Sequence, residues 1–191
     1  MRPQRLVLPL VALPGPAAAH DAFGDLGPFY QAFLHPLVDP AQGLLLAGSA
    51  LLLARQPLAI VRPAYAALAA GGLAALAIGT FVTLPAPGLR TMTVAALLLA
   101  LAALLNPRAG AVTASVLAAV LGGLAAISFD PVSGTRTALL TVLGGAVGIA
   151  IVTLFIWGVA DWADRRVSPF ATSVAAAWVG AIALMAAVLP A

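Results

Sequence analysis

The sequence predicts an all-α, polytopic membrane protein: a bundle of six transmembrane helices behind a removable signal peptide. Three observations lead there. Of 191 residues, 63% are hydrophobic and 8% charged, whereas a soluble domain carries about 45–50% apolar and about 25% charged residues. The mean hydropathy is +1.10. The apolar residues fall into long stretches divided by Pro, Gly and Arg, the residues at which membrane helices stop and loops begin. So few polar groups could not cover a soluble globule. A span needs about 20 residues to cross roughly 30 Å of hydrocarbon. The hydrophobic complement therefore fills about six spans and leaves no room for a second, soluble domain.

The N-terminus has the tripartite pattern of a targeting segment. Arg2 and Arg5 form a positive region, Leu6–Leu13 is an apolar run too short to span, and Ala17-Ala18-Ala19 offers small residues to a peptidase. Cleavage after Ala19 would expose His20 as the first residue, outside the membrane. Six apolar stretches follow, at about 33–54, 59–84, 91–105, 111–129, 137–160 and 170–189. They form a single domain over 20–191. Their ends are marked by Arg55-Gln56-Pro57, Pro85-Ala86-Pro87-Gly88, Asn106-Pro107-Arg108, Asp130-Pro131 and the charged run from Asp161 to Arg166.

Loop charge sets the expected orientation. With the mature N-terminus outside, inner loops hold Arg55, Arg62, Arg108, Arg165 and Arg166, and outer loops hold Arg90 and Arg136. Positive residues favour the cytoplasmic side. A bacterial-type cytoplasmic membrane with both termini outside is therefore expected, and Trp157 and Trp162 suit its inner interface. Gly71-Gly72, Gly122-Gly123, Gly144-Gly145 and Gly148 lie inside spans, where small residues let helices approach closely.

All nine basic residues are Arg and all six acids are Asp. No basic cluster interleaved with aromatics points to nucleic acid. Cysteine is absent, which excludes disulfides and thiolate chemistry. No Walker loop, HExxH motif or Gly-x-Ser-x-Gly elbow occurs, and the chain is not expected to be an enzyme or to hold a resident cofactor. The lipid bilayer is its expected surrounding.

Ionisable groups in a membrane are costly and mark function by default. His20, Asp21, Asp25, His35, Asp39 and Asp130 all fall on the outer side under this topology. His35 and Asp39, four apart, would share a helix face, and imidazole with carboxylate suits a divalent first-row metal. Asp130, His20 and Gln42 are the further metal-ligand candidates. A free terminal amine beside the His20 imidazole could also chelate copper or nickel. Pro36 and Pro40 could break the helix and free carbonyls, which is tolerated where they line a cavity or lie within protein. The competing reading makes His35 and Asp39 caps or anchors at the headgroup level.

The stretch Ala19-His20-Asp21, followed by Phe29-Tyr30-Gln31-Ala32-Phe33-Leu34-His35-Pro36-Leu37, resembles the start of the HupE/UreJ family. These are small membrane proteins encoded with hydrogenase or urease accessory genes and regarded as nickel or cobalt permeases. The resemblance implies six or seven spans and inward passage of a divalent metal. Members commonly follow His-Pro with Gly-x-Asp-His. Aligned without gaps, Asp39 stands here at the Gly, Ala41 at the Asp and Gln42 at the His, so only His35-Pro36 carries over. The family's later His-Gly-x-Glu motif has no counterpart, since no His follows His35. Two functions lead: a divalent-metal permease for nickel, cobalt or copper, and a non-transporting membrane scaffold or accessory subunit that has lost the ligands; transport of another small solute is the third.

Overall fold

The computed structural model describes residues 26–129 and 134–189, which form seven α-helices. These are α1 (Gly27–Val38), α2 (Pro40–Ala54), α3 (Leu58–Gly79), α4 (Leu89–Leu105), α5 (Ala111–Ala126), α6 (Thr135–Arg166) and α7 (Ala171–Val188). No strand occurs among the described residues. The signal-peptide segment and its cleavage site lie outside them.

The expectation of six full spans is corrected. Three helices, α3, α6 and α7, are long and apolar enough to cross a membrane, and the α1–α2 pair makes a fourth if counted as one broken span. The stretch at 33–54 is not one helix. It bends by 71° between α1 and α2 because Pro40 has no N–H for the carbonyl four residues back. The stretches at 91–105 and 111–129 yield helices of 17 and 16 residues. At 1.5 Å per residue these run about 24–26 Å, short of the roughly 30 Å hydrocarbon layer. The stretch at 59–84 ends its helix at Gly79, after which Thr80 hydrogen-bonds back to the Ala77 carbonyl. The stretch at 137–160 runs on to Arg166, so the charged run lies on helix rather than in a loop.

α2 is the central element and touches every other helix. Nine of its fifteen residues are buried, Leu45, Leu46 and Ala50 completely. Around it, α3 packs on α5, α1 on α6 and α4 on α7. Leu45, Leu46, Leu68, Leu76, Leu121 and Ile149 are among the members of the main buried cluster.

Backbones meet where glycine allows it. A Cβ on Gly122 would collide with the Leu68 carbonyl, one on Gly71 with Ala119, and ones on Gly144 and Gly148 with the Phe29 and Phe33 carbonyls of α1. In lipid, apolar side chains gain little by leaving their surroundings, so association rests on such close packing and on interhelical hydrogen bonds. Tyr65 Oη supplies one of the latter, donating to the Ala150 carbonyl of α6 at 2.9 Å.

The two ends of the bundle differ. Gln56 Nε2 donates to the Pro107 carbonyl at 2.9 Å, tying the α2–α3 loop to the α4–α5 loop. Leu51, Ala103, Ala160 and Ala176 cluster beside it. Arg55, Arg108, Arg165 and Arg166 therefore gather at one end, and the α1–α2 break lies at the other. At the basic end Asp161 pairs with Arg165 at 2.9 Å. Asp164 accepts from the Thr172 amide at 2.8 Å, placing a carboxylate at the positive start of α7. Trp162 is exposed, as an interfacial residue should be, but Trp157 is partly buried against the main cluster.

Gly122→Ala should lower thermal stability in detergent by about 1–3 kcal/mol, the usual cost of overpacking. Gly158→Ala, whose added Cβ would meet nothing within 4 Å, should leave it unchanged. Thermal unfolding followed by circular dichroism checks both.

Candidate functional site at the broken helix

The break between α1 and α2 is written in the run His35-Pro36-Leu37-Val38-Asp39-Pro40. Pro36 lacks a donor for the carbonyl of Ala32, and Pro40 lacks one for the carbonyl of Pro36. The freed Pro36 carbonyl turns towards the first turn of α2, and a methyl group on Gly43 would stand 3.1 Å from it. Asp39 takes an extended backbone and becomes the N-cap of α2. Its Oδ1 accepts from the amides of Ala41 at 2.8 Å and Gln42 at 3.1 Å. Proline at the first helical position completes a regular start signal. The competing capping reading thus describes Asp39. Both backbone donors engage the same oxygen, Oδ1.

His35 behaves differently. Its Nδ1 lies 2.9 Å from Gln42 Oε1. Gln42 is fully buried, and its Nε2 donates to the Ala125 carbonyl at 2.8 Å. That bond orients the amide. The nitrogen faces the carbonyl, which can only accept, so the oxygen faces His35, and Nδ1 must carry the hydrogen. In the neutral imidazole the lone pair then sits on Nε2. No hydrogen bond to Nε2 occurs among the described residues. Metal-binding histidines are commonly oriented in this way, by donating their other N–H to an oxygen.

Gln42 also answers a need of α5. The last carbonyls of a helix lack intrahelical donors. The Ala125 carbonyl receives a long 3.4 Å bond from Ser128, and Gln42 adds a short one. Just beyond, Phe129 sets its ring against the His35 imidazole, with centroids 4.5 Å apart and planes inclined by 31°. The site therefore joins α1, α2 and the end of α5.

Of the sequence-derived candidates, the structure brings His35 and Gln42 together and spends Asp39 on the cap. Both ends of the Gln42 amide are engaged, the oxygen by His35 and the nitrogen by the Ala125 carbonyl, so it positions His35. His20 and Asp130 lie outside the described residues, and no group of three or more His, Cys, Asp or Glu that could hold a metal ion occurs among the described residues. The Ala125 carbonyl and Phe129 were not foreseen. A backbone carbonyl has no sequence signature, and Ala125 lies 83 residues from Gln42.

One cavity borders this region and another lies at the opposite, basic end of the bundle. The first, of about 50 Å³, opens between the end of α3, the end of α5 and the start of α6, and its walls include Leu76, Thr80, Phe129 and Thr141. The other, of about 130 Å³, lies at the basic end between α2, α4 and α5, and its walls include Ser49, Gln56, Leu68, Pro107 and Leu121.

No family model matches the chain, and no curated protein or solved structure matches it.

Asp39→Ala should destabilise the folded protein by about 0.5–2 kcal/mol through the lost cap, and Asp39→Asn should retain most of that stability. Gln42→Leu should cost about 1–3 kcal/mol, because His35 Nδ1 and the Ala125 carbonyl would each lose a buried partner. Denaturation midpoints in detergent micelles give the comparison.

Proposed function

We propose that this chain is a membrane permease of the HupE/UreJ type whose cargo is a divalent transition metal: nickel, cobalt or copper. The observation that carries the reading is the His35 imidazole, held by Gln42 in the tautomer that leaves Nε2 open, beside a broken helix. Discontinuous helices build the cargo sites of many transporters, and an imidazole nitrogen suits each of these metals. Water would complete the coordination shell around this one side-chain ligand.

The proposed setting is a bacterial-type cytoplasmic membrane with the arginine-rich end inside. His35 then faces the outer side. A divalent cation moving inward along an inside-negative potential gains about 4.6 kcal/mol per 100 mV, twice the single-charge value. Uptake therefore requires no nucleotide engine in this chain.

A second reading has its own support. Asp39 serves as a helix cap, which suits a scaffold or accessory subunit that has shed its ligands. It predicts a folded, inert protein.

In proteoliposomes with an inside-negative potential, the wild type should take up one of the three metals. His35→Ala should lower its initial rate at least tenfold at unchanged protein content. Uptake that survives His35→Ala would remove the site and keep the permease. Absence of uptake of all three metals by folded wild-type protein would favour the subunit.

A further inference from the structure

Of the side chains around the larger cavity, only those of Ser49 and Gln56 are polar. Both bond within the protein, Ser49 to the Leu45 carbonyl at 2.8 Å and Gln56 to the Pro107 carbonyl at 2.9 Å. The remaining walls are aliphatic. Ala114, Leu117, Ala118 and Leu121 follow the spacing of one helix face and line the cavity from α5. That wall is about 10 Å long at a rise of about 1.5 Å per residue. The space is of about 130 Å³. A dry aliphatic cavity of about 150 Å³ takes up a benzene-sized apolar molecule, so several methylene groups fit here.

The cleft exists because α4 and α5 part company. They are joined by the short loop 106–110, but α4 packs on α2 and α7, α5 packs on α3, and the two hardly meet. Leu117 lines the cavity and is also exposed, so the cleft opens sideways beside α5. Around a membrane protein that side faces hydrocarbon. Aliphatic walls without partner atoms forfeit dispersion contacts, and a lipid chain supplies them.

At its basic end the cleft meets cations without partners. The bonded pair Gln56 and Pro107 forms that end. Arg55 precedes one of them and Arg108 follows the other. Neither guanidinium has a hydrogen bond or ion pair among the described residues, and Arg55 Nε is shut off from solvent with no partner. A buried donor left in that state is rare and calls for an acceptor. The carboxylates at this end are engaged elsewhere, Asp161 by Arg165 and Asp164 by the Thr172 amide. With only 17 and 16 residues in α4 and α5, the bilayer thins around them, which brings lipid phosphates towards the loop 106–110.

We infer that the cleft between α4 and α5 is a binding site for one anionic phospholipid, drawn from the leaflet on the basic side. One acyl chain fills the cavity along α5, and the phosphate accepts hydrogen bonds from Arg55 and Arg108. Arginine binds phosphate through forked, charge-assisted hydrogen bonds, and basic pockets between membrane helices take anionic headgroups. A choline lipid would set a further cation beside the two arginines. The bound lipid closes the gap that α4 and α5 leave. The site makes no use of the metal reading and is tested without it.

Native mass spectrometry of the full chain in detergent, titrated with dioleoyl phosphatidylglycerol or dioleoyl phosphatidylcholine, tests the site. The wild type should hold one phosphatidylglycerol with a preference of about tenfold over phosphatidylcholine, since each arginine near an anionic lipid contributes roughly a fivefold gain. Arg55→Gln combined with Arg108→Gln should remove that preference. Arg166→Gln, which removes another cation from the same end, should leave it. Ala118→Leu fills the cavity from α5 and should weaken both lipids severalfold. Leu117→Trp, at the exposed mouth, should do the same should Ala118→Leu fold poorly. Equal binding of the two lipids by the wild type, or a preference that survives the double arginine substitution, would overturn the site. So would undiminished phosphatidylglycerol binding in both cavity variants, which would put the lipid on the outer surface. Displacement of the lipid by equimolar inorganic phosphate would also overturn it, because the arginines would then hold phosphate without a chain.

Discussion

A primary amide buried among leucines and alanines must find partners for both of its ends. Gln42 finds them in two other helices. Its oxygen faces His35 on α1 and its nitrogen faces the carbonyl of Ala125 near the end of α5. In an apolar interior an unpartnered amide is expensive, so these two bonds settle more than their own geometry. They tie α1 to α2 across the break, they hold the end of α5 against it, and they decide which nitrogen of His35 carries its hydrogen. The tautomer of the imidazole is in this sense a product of helix packing.

The break is a matter of backbone arithmetic. Two prolines four residues apart withdraw two donors from one stretch of helix, and Asp39 turns the interruption into a new beginning by capping α2. An uninterrupted helix through 33–54 would have carried the chain straight across. The bend instead lays α1 along α6, where Gly144 and Gly148 admit the backbone of Phe29 and Phe33, and leaves α2 to occupy the centre. Glycine thus acts at the other end of the same constraint. Helices that gain little from hydrophobic burial among lipids must come close enough for dispersion and polar contacts to count.

The bundle is polar in two senses. One end gathers the arginines of three loops or helix ends, with Asp161 and Asp164 engaged locally by Arg165 and by the start of α7. The other carries the broken helix, the imidazole and the aromatic ring of Phe129. Such an asymmetry suits a protein whose two faces meet different compartments.

Much was legible in the sequence, and the physical reasons separate what was from what was not. Composition and the long apolar stretches determined an all-helical membrane architecture, because apolar side chains in such excess leave no aqueous alternative. Proline and glycine at the joints determined where most helices stop, and Pro36 with Pro40 marked a breakable point. The positions of Arg55, Arg108, Arg165 and Arg166 foretold the basic end, since loop charge is a local property. Helix number and length were less legible. Hydropathy does not distinguish one span from two half-helices, and the α4 and α5 stretches are apolar but short. The site divided in the same way. His35 was visible as a rare ionisable group near a proline and Asp39 as a possible cap, but the duty of Gln42 was not. Asp39 became a cap because the chain turns there, and Gln42 became a positioning residue because a carbonyl 83 residues away arrives beside it. Local chemistry nominated the residues. Their roles were decided by long-range packing, which alone determines which partners a buried polar group can reach.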